Sequence, residues 1–167
     1  TISTVGIVPG IRTLADRPLP VNLAVSLHAA RDSLRDELVP INKRYPLADL
    51  VQACADYLLK KNRRVSFEWA MIDGINDQPQ DARELARLCK RLRPAAHVNL
   101  IPLNPTPGWP TKGTSPEGVR EFARQLEDLG VNVTIRRNRG TDIDAACGQL
   151  AAGQPIKLGA RRVVTAE

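Results

Sequence analysis

The densest collection of reactive side chains in this 167-residue chain runs from Arg136 to Leu150. Arg136, Arg137 and Arg139 are followed by Asp142, Asp144 and Cys147, directly behind the apolar run Val131 to Ile135. A thiol beside guanidinium groups is a candidate nucleophile, because positive charge favours the thiolate, whereas the two aspartates act in the opposite sense. A second set of candidates consists of polar residues at the ends of apolar runs: Ser3 and Thr4, Ser26 and His28, Glu68, and Asn104. His28 can act as a general base or simply bond a carbonyl. Ser26 precedes it by two residues and so falls on the same side of an extended strand, which favours a shared ligand contact. Asn104 carries donors and an acceptor that suit a purine or an amino-acid group, or only a turn before Pro105. Glu68 is either functional or paired with an arginine.

Five β-prone runs deliver these residues: Thr1 to Val5, Val21 to His28, Arg64 to Ile72, His97 to Asn104 and Val131 to Ile135. Helical patterns separate them. One starts at Val8-Pro9-Gly10 and ends near Asp16, and a charged one runs from Asp32 to Leu38 with Pro40 as its stop. An amphipathic one follows Pro46, with Leu47, Leu50, Val51, Cys54, Tyr57 and Leu58 repeating at three and four residues. The next spans Ala82 to Leu92, and the last opens on Ser115-Pro116-Glu117 and closes at Gly130. Cys54 and Cys89 lie on apolar helix faces, where core packing is the expected role. Strand and helix in alternation predict parallel strands, in an open sheet or in part of a barrel, with ligands at the carboxyl ends of the strands. After Leu150 the chain is small and basic, and residues 154–167 read as a mobile tail.

Composition sets the outer bounds. A net charge of +6 and a pI near 9.7 suit a polyanionic partner, and equally a merely soluble basic protein. The three cysteines are far apart and form no CxxC or Cys/His cluster, so neither a disulfide framework nor a self-contained metal site is expected. No apolar run reaches the length of a membrane span, and Thr1 to Gly10 lacks the regions of a signal peptide, so a cytoplasmic location is the default expectation. The start, a strand-like run without an initiator Met, reads as cut.

Particular words carry the reading further. They are Ser3-Thr4-Val5-Gly6-Ile7-Val8-Pro9, Leu23-Ala24-Val25-Ser26-Leu27-His28-Ala29, Arg35-Asp36-Glu37-Leu38-Val39-Pro40-Ile41-Asn42, Asn99-Leu100-Ile101-Pro102-Leu103-Asn104-Pro105 and Arg139-Gly140-Thr141-Asp142-Ile143-Asp144-Ala145-Ala146-Cys147-Gly148-Gln149-Leu150. Together they resemble the radical S-adenosylmethionine RNA methyltransferases of the RlmN and Cfr family, nearer the RlmN branch, from Thr1 to about Gly153.

That resemblance implies an α/β fold: the carboxyl-terminal part of a partial parallel (βα) barrel of the radical-SAM type. It implies methylation of adenine C2 in 23S rRNA and tRNA, with S-adenosylmethionine and a 4Fe-4S cluster as cofactors. Ser3, Ser26, Leu27, His28 and Asn104 match the cofactor contacts. Cys147 matches the cysteine that is methylated first and then carries a methylene radical to the base. The CxxxCxxC motif that holds the cluster, and the family's second cysteine, belong to an amino-terminal portion not contained in this sequence. No metal ligand is therefore assigned here, and the chain alone is expected to be inactive. Two other classes remain open: a non-catalytic basic module that binds RNA or a nucleotide, and a truncated structural remnant.

Overall fold

A computed structural model describes residues 1–103 and 111–136. Asn104, Arg137, Arg139, Cys147 and the 154–167 tail lie outside the described residues.

Five strands, β1 (Ile2–Thr4), β2 (Leu23–Ser26), β3 (Val65–Met71), β4 (His97–Pro102) and β5 (Val133–Ile135), form one sheet in the order β1-β2-β3-β4-β5. Every neighbouring pair is parallel. Between them lie α1 (Val8–Asp16), α2 (Asp32–Leu38), α3 (Leu47–Lys61), α4 (Pro79–Cys89) and α5 (Pro116–Asp128). Strand order that follows the chain without reversal, joined by crossovers of one hand, places all the helices on one face of the sheet. This is the winding of a barrel segment. A doubly wound open sheet would reverse direction at a switch point.

Local chemistry sets most element ends. Pro9 lies in the first turn of α1, where its missing N–H costs nothing, and Asn62 ends α3 in a left-handed conformation (φ +48°). The Ser115 hydroxyl accepts from the Gly118 N–H at 3.1 Å to cap α5, and Gly130 (φ +74°) takes the chain out of it. Two boundaries differ from the sequence expectation. α4 begins at Pro79, three residues before Ala82, because Gln78 and Asp81 form a reciprocal capping box, and it ends at Cys89 rather than Leu92. Pro40 does stop α2, but it also opens a 3-10 turn, Pro40–Lys43.

The helix-covered face of the sheet is the core. Val25, Phe67 and Val98 share one register level, and Trp69 and Leu100 the next. All five are fully buried, and Trp69 stacks on Phe122 of α5 with ring centroids 6.1 Å apart. Cys54 and Cys89 are buried in the same core, as their helical positions predict.

Candidate functional site

The carboxyl ends of β1, β2 and β3 are held by side chains rather than by the ladder alone. Leu27 N–H donates to the Glu68 carbonyl at 3.0 Å, so a regular parallel ladder would next give the Ala70 N–H to the Leu27 carbonyl. Instead the chain turns at His28, whose φ is +58°. The Ala70 N–H donates to His28 Nδ1 at 3.0 Å, and the Leu27 carbonyl accepts from Arg35 Nε at 3.1 Å. Arg35 is completely buried and also donates to the carbonyls of Val5 (2.9 Å) and Ser26 (3.2 Å) and to Asn42 Oδ1 (2.8 Å). Asn42 in turn donates to Asp32 and Asp36. One guanidinium thus ties the ends of two strands and is balanced, through Asn42, by two carboxylates. Burial lowers its pKa, and Asp32 foremost counteracts that. Gly6 lies close by with φ +102°, where a Cβ would meet Arg35 Nη2 at 3.0 Å.

Asn76, also fully buried, performs the same service for β3. Its Nδ2 donates to the carbonyls of His28 and Ala70, and its Oδ1 accepts from the Ile72 N–H.

These contacts define the state of His28. With Nδ1 accepting an amide proton, the neutral ring carries its own proton on Nε2. Burial first, and Arg35 second, push its pKa down to about 4. The ring is therefore a neutral donor near pH 7. The sequence expectation was a base or a carbonyl partner; the bond seen at Nδ1 is instead to an amide N–H, which leaves Nε2 for a further contact. The expected strand alternation from Ser26 to His28 also fails, because β2 ends at Ser26 and His28 occupies the left-handed region.

The face of the sheet opposite the core is polar. Ser3, Ala24, Ser66 and His97 share one register level, and Ser26, Glu68, Asn99 and Thr134 the next. The levels are joined by hydrogen bonds. The Ser66 hydroxyl donates to Glu68 Oε1 (3.1 Å), Asn99 Nδ2 donates to Glu68 Oε2 (2.6 Å), and Thr134 Oγ1 lies 3.0 Å from His97 Nε2. Glu68 is half-buried and, among the described residues, makes no ion pair with an arginine, which was one of its two expected alternatives. A cleft of about 230 Å³ opens beside it, lined by Arg64, Ser66, Glu68, His97, Asn99 and Thr134.

Of the sequence candidates, Ser3 is exposed on β1, and Ser26 and His28 are half-buried at the end of β2. Leu27 is completely buried, and both its N–H and its carbonyl are engaged in the fold. Its side chain thus serves the core. Asn104 and Cys147 fall outside the described residues. Burial raises both described thiols, Cys54 and Cys89, to about 12, and no group of three or more metal-binding side chains occurs among the described residues. Sequence reasoning missed Arg35, Asn42 and Asn76. A larger cleft of about 800 Å³ lies at the opposite, amino ends of β3, β4 and β5, beside Arg63, Arg64 and Asn132. It collects none of the residues that converge at the strand carboxyl ends.

No family model matches the chain. It is 54% identical over 162 residues to a protein from Parafrankia sp. named "Probable dual-specificity RNA methyltransferase RlmN", covering 97% of this chain and 42% of the relative. A protein of the same name from Chloroflexus aurantiacus is 50% identical, with 95% and 43% covered. The chain thus spans about two fifths of the length of the curated relatives it matches. A solved radical SAM methyltransferase from Sphaerobacter thermophilus superposes with a TM-score of 0.83 at 52% identity, covering 88% of this chain and 42% of that one. A domain of a pyruvate-formate lyase-activating enzyme from Bacteroides vulgatus has a TM-score of 0.54 at 16% identity and shares the fold.

Proposed function

We propose that this chain, which belongs with the RlmN-type RNA methyltransferases as their carboxyl-terminal portion, supplies part of the cofactor-binding wall and the methyl-carrying cysteine of a dual-specificity enzyme acting on adenine C2 of 23S rRNA and tRNA. The observation that carries the reading is the convergence of Ser3, Ser26, His28 and Glu68 on the uncovered face and carboxyl edge of the sheet, in a chain 54% identical to proteins bearing that name.

The side chains suit S-adenosylmethionine. Serine hydroxyls donate or accept, the neutral His28 ring offers an Nε2 donor to an acceptor atom, and a carboxylate faces a ligand that carries positive charge. When bound, that cofactor supplies methyl groups and a source of radical chemistry. Ser3, Ser26, His28 and Asn104 bind and orient it. Arg35 and Asn76 hold the strand ends that present Ser26 and His28. A 4Fe-4S cluster does not fit the described cysteines, since Cys54 and Cys89 are core thiols held protonated by burial.

Cys147 is the proposed methyl carrier. Its sequence neighbours Ala145, Ala146 and Gly148 are small, which suits a thioether tether between cofactor and base, and basic residues such as Arg136 meet RNA phosphates. In the complete protein, Cys147→Ala should abolish transfer of label from methyl-labelled S-adenosylmethionine to RNA while leaving cofactor binding intact. Undiminished transfer would overturn the assignment. The isolated chain should be silent, and the absorbance of a 4Fe-4S cluster after iron and sulfide reconstitution would refute that.

A further inference from the structure

Among the described residues, Glu68 is the only acidic one in a strand of the sheet. It projects from the centre of the uncovered face, in register with Ser26 on the neighbouring strand, so the two side chains stand one strand spacing apart, roughly 5 Å. Its hydrogen-bond partners among the described residues, Ser66 and Asn99, are neutral donors. They fix the direction of the carboxylate without cancelling its charge. A carboxylate oxygen accepts more than one hydrogen bond, so each oxygen keeps a free lone pair. Among the described residues no lysine, arginine or histidine lies within ion-pair distance of Glu68, although Arg64 and His97 line the same cleft. His97, which lines the same cleft, has its pKa lowered by burial and by Arg64 despite the opposing effect of Glu68.

A half-buried carboxylate held in one direction, with no ion-pair partner among the described residues, attracts a cationic group brought up to it. The cleft of about 230 Å³ beside it leaves room for one. We propose that Glu68 is the electrostatic partner of a cationic ligand centre on the uncovered face. Resting on the cofactor reading given above, that centre is the sulfonium of S-adenosylmethionine. Asn99 and Ser66 are positioning residues that aim the carboxylate. The consequence is charge selectivity: the site prefers the sulfonium cofactor to the neutral thioether that demethylation leaves, so the spent cofactor is released more readily than the fresh one is lost.

The test compares equilibrium binding of S-adenosylmethionine and S-adenosylhomocysteine to the complete protein, for the unmodified form, Glu68→Gln and Glu68→Asp. The two ligands share the adenosine and amino-acid groups and differ in the charge on sulfur. Loss of one unit charge at a partly screened site should weaken S-adenosylmethionine by about 10-fold or more. The same change should leave S-adenosylhomocysteine within about 2-fold, since its contacts keep their shape. Glu68→Asp keeps the charge and should keep the preference. Equal weakening of both ligands by Glu68→Gln would make Glu68 a structural or hydroxyl-binding residue and overturn the proposal, as would no effect on either. Failure of the unmodified protein to bind S-adenosylmethionine at all would instead remove the cofactor reading, and this inference with it.

Discussion

The two faces of the sheet are built from the same strands, offset by a single residue, and they differ in almost every property. On one face Val25, Phe67, Trp69, Val98 and Leu100 are fully buried under helices. On the other, Ser26, Glu68, Asn99 and Thr134 form a polar row that the helices do not cover. Because side chains alternate along a strand, a one-residue slip would exchange the two sets, so the pattern that secures the fold also specifies the site. The difference teaches that the residues which secure the fold and those of the proposed site stand on opposite faces, so stability should be separable from the proposed ligand binding by mutation.

The largest effect should fall on the covered face. Trp69→Ala removes a fully buried indole that stacks on Phe122. It should lower unfolding free energy by about 3–5 kcal/mol in denaturant titration. A loss below about 1 kcal/mol would mean that this face is not the core it looks to be.

At the carboxyl edge the effect depends on pH. The pKa of His28 is lowered from 6.5 to about 4, so the unfolded chain binds a proton that the folded one refuses between these values. Stability from this group is present above pH 6.5 and is lost as pH falls towards 4, by no more than about 3 kcal/mol. His28→Asn keeps an acceptor for the Ala70 N–H and suits φ +58°, and it cannot titrate. It should flatten the acid limb of a plot of melting temperature against pH. An unchanged limb would show that His28 does not carry it.

The smallest effect on stability is expected on the uncovered face. Asn99→Ala removes a donor to a carboxylate that water can still reach, and should cost about 1 kcal/mol or less by thermal unfolding. Its effect on binding of a cationic ligand should be the larger of the two. A stability loss like that of Trp69→Ala would break the proposed division between the faces.

Much of this was legible in local sequence. Alternation around Phe67 and Trp69 marked β3, Pro46 and the spacing of Leu47, Leu50, Val51 and Cys54 marked α3, and Ser115-Pro116 marked the start of α5, because each signal depends on neighbours a few residues away. Arg35 was not legible. Within Asp32 to Leu38 it reads as one more charge on a solvated helix, and its burial follows from strand-end carbonyls far from it in sequence, such as that of Val5. His28 was half legible: its place at a strand end was evident, but its partner Ala70 lies 42 residues away and could not be read from local pattern. The strand positions of Ser3 and Ser26 were legible, and β1 and β2 carry them. The assignment of Cys147 rests on the words around it.

The most direct test of the division between faces is hydrogen–deuterium exchange of the complete protein with and without S-adenosylmethionine. Binding should slow exchange in segments covering Ser26 to Ala30 and Glu68 to Asn76, and leave the core helix from Leu50 to Leu58 and the amino-end cleft near Arg63 and Asn132 unchanged. Protection confined to that cleft or to the helices, with none at the strand carboxyl ends, would contradict the account.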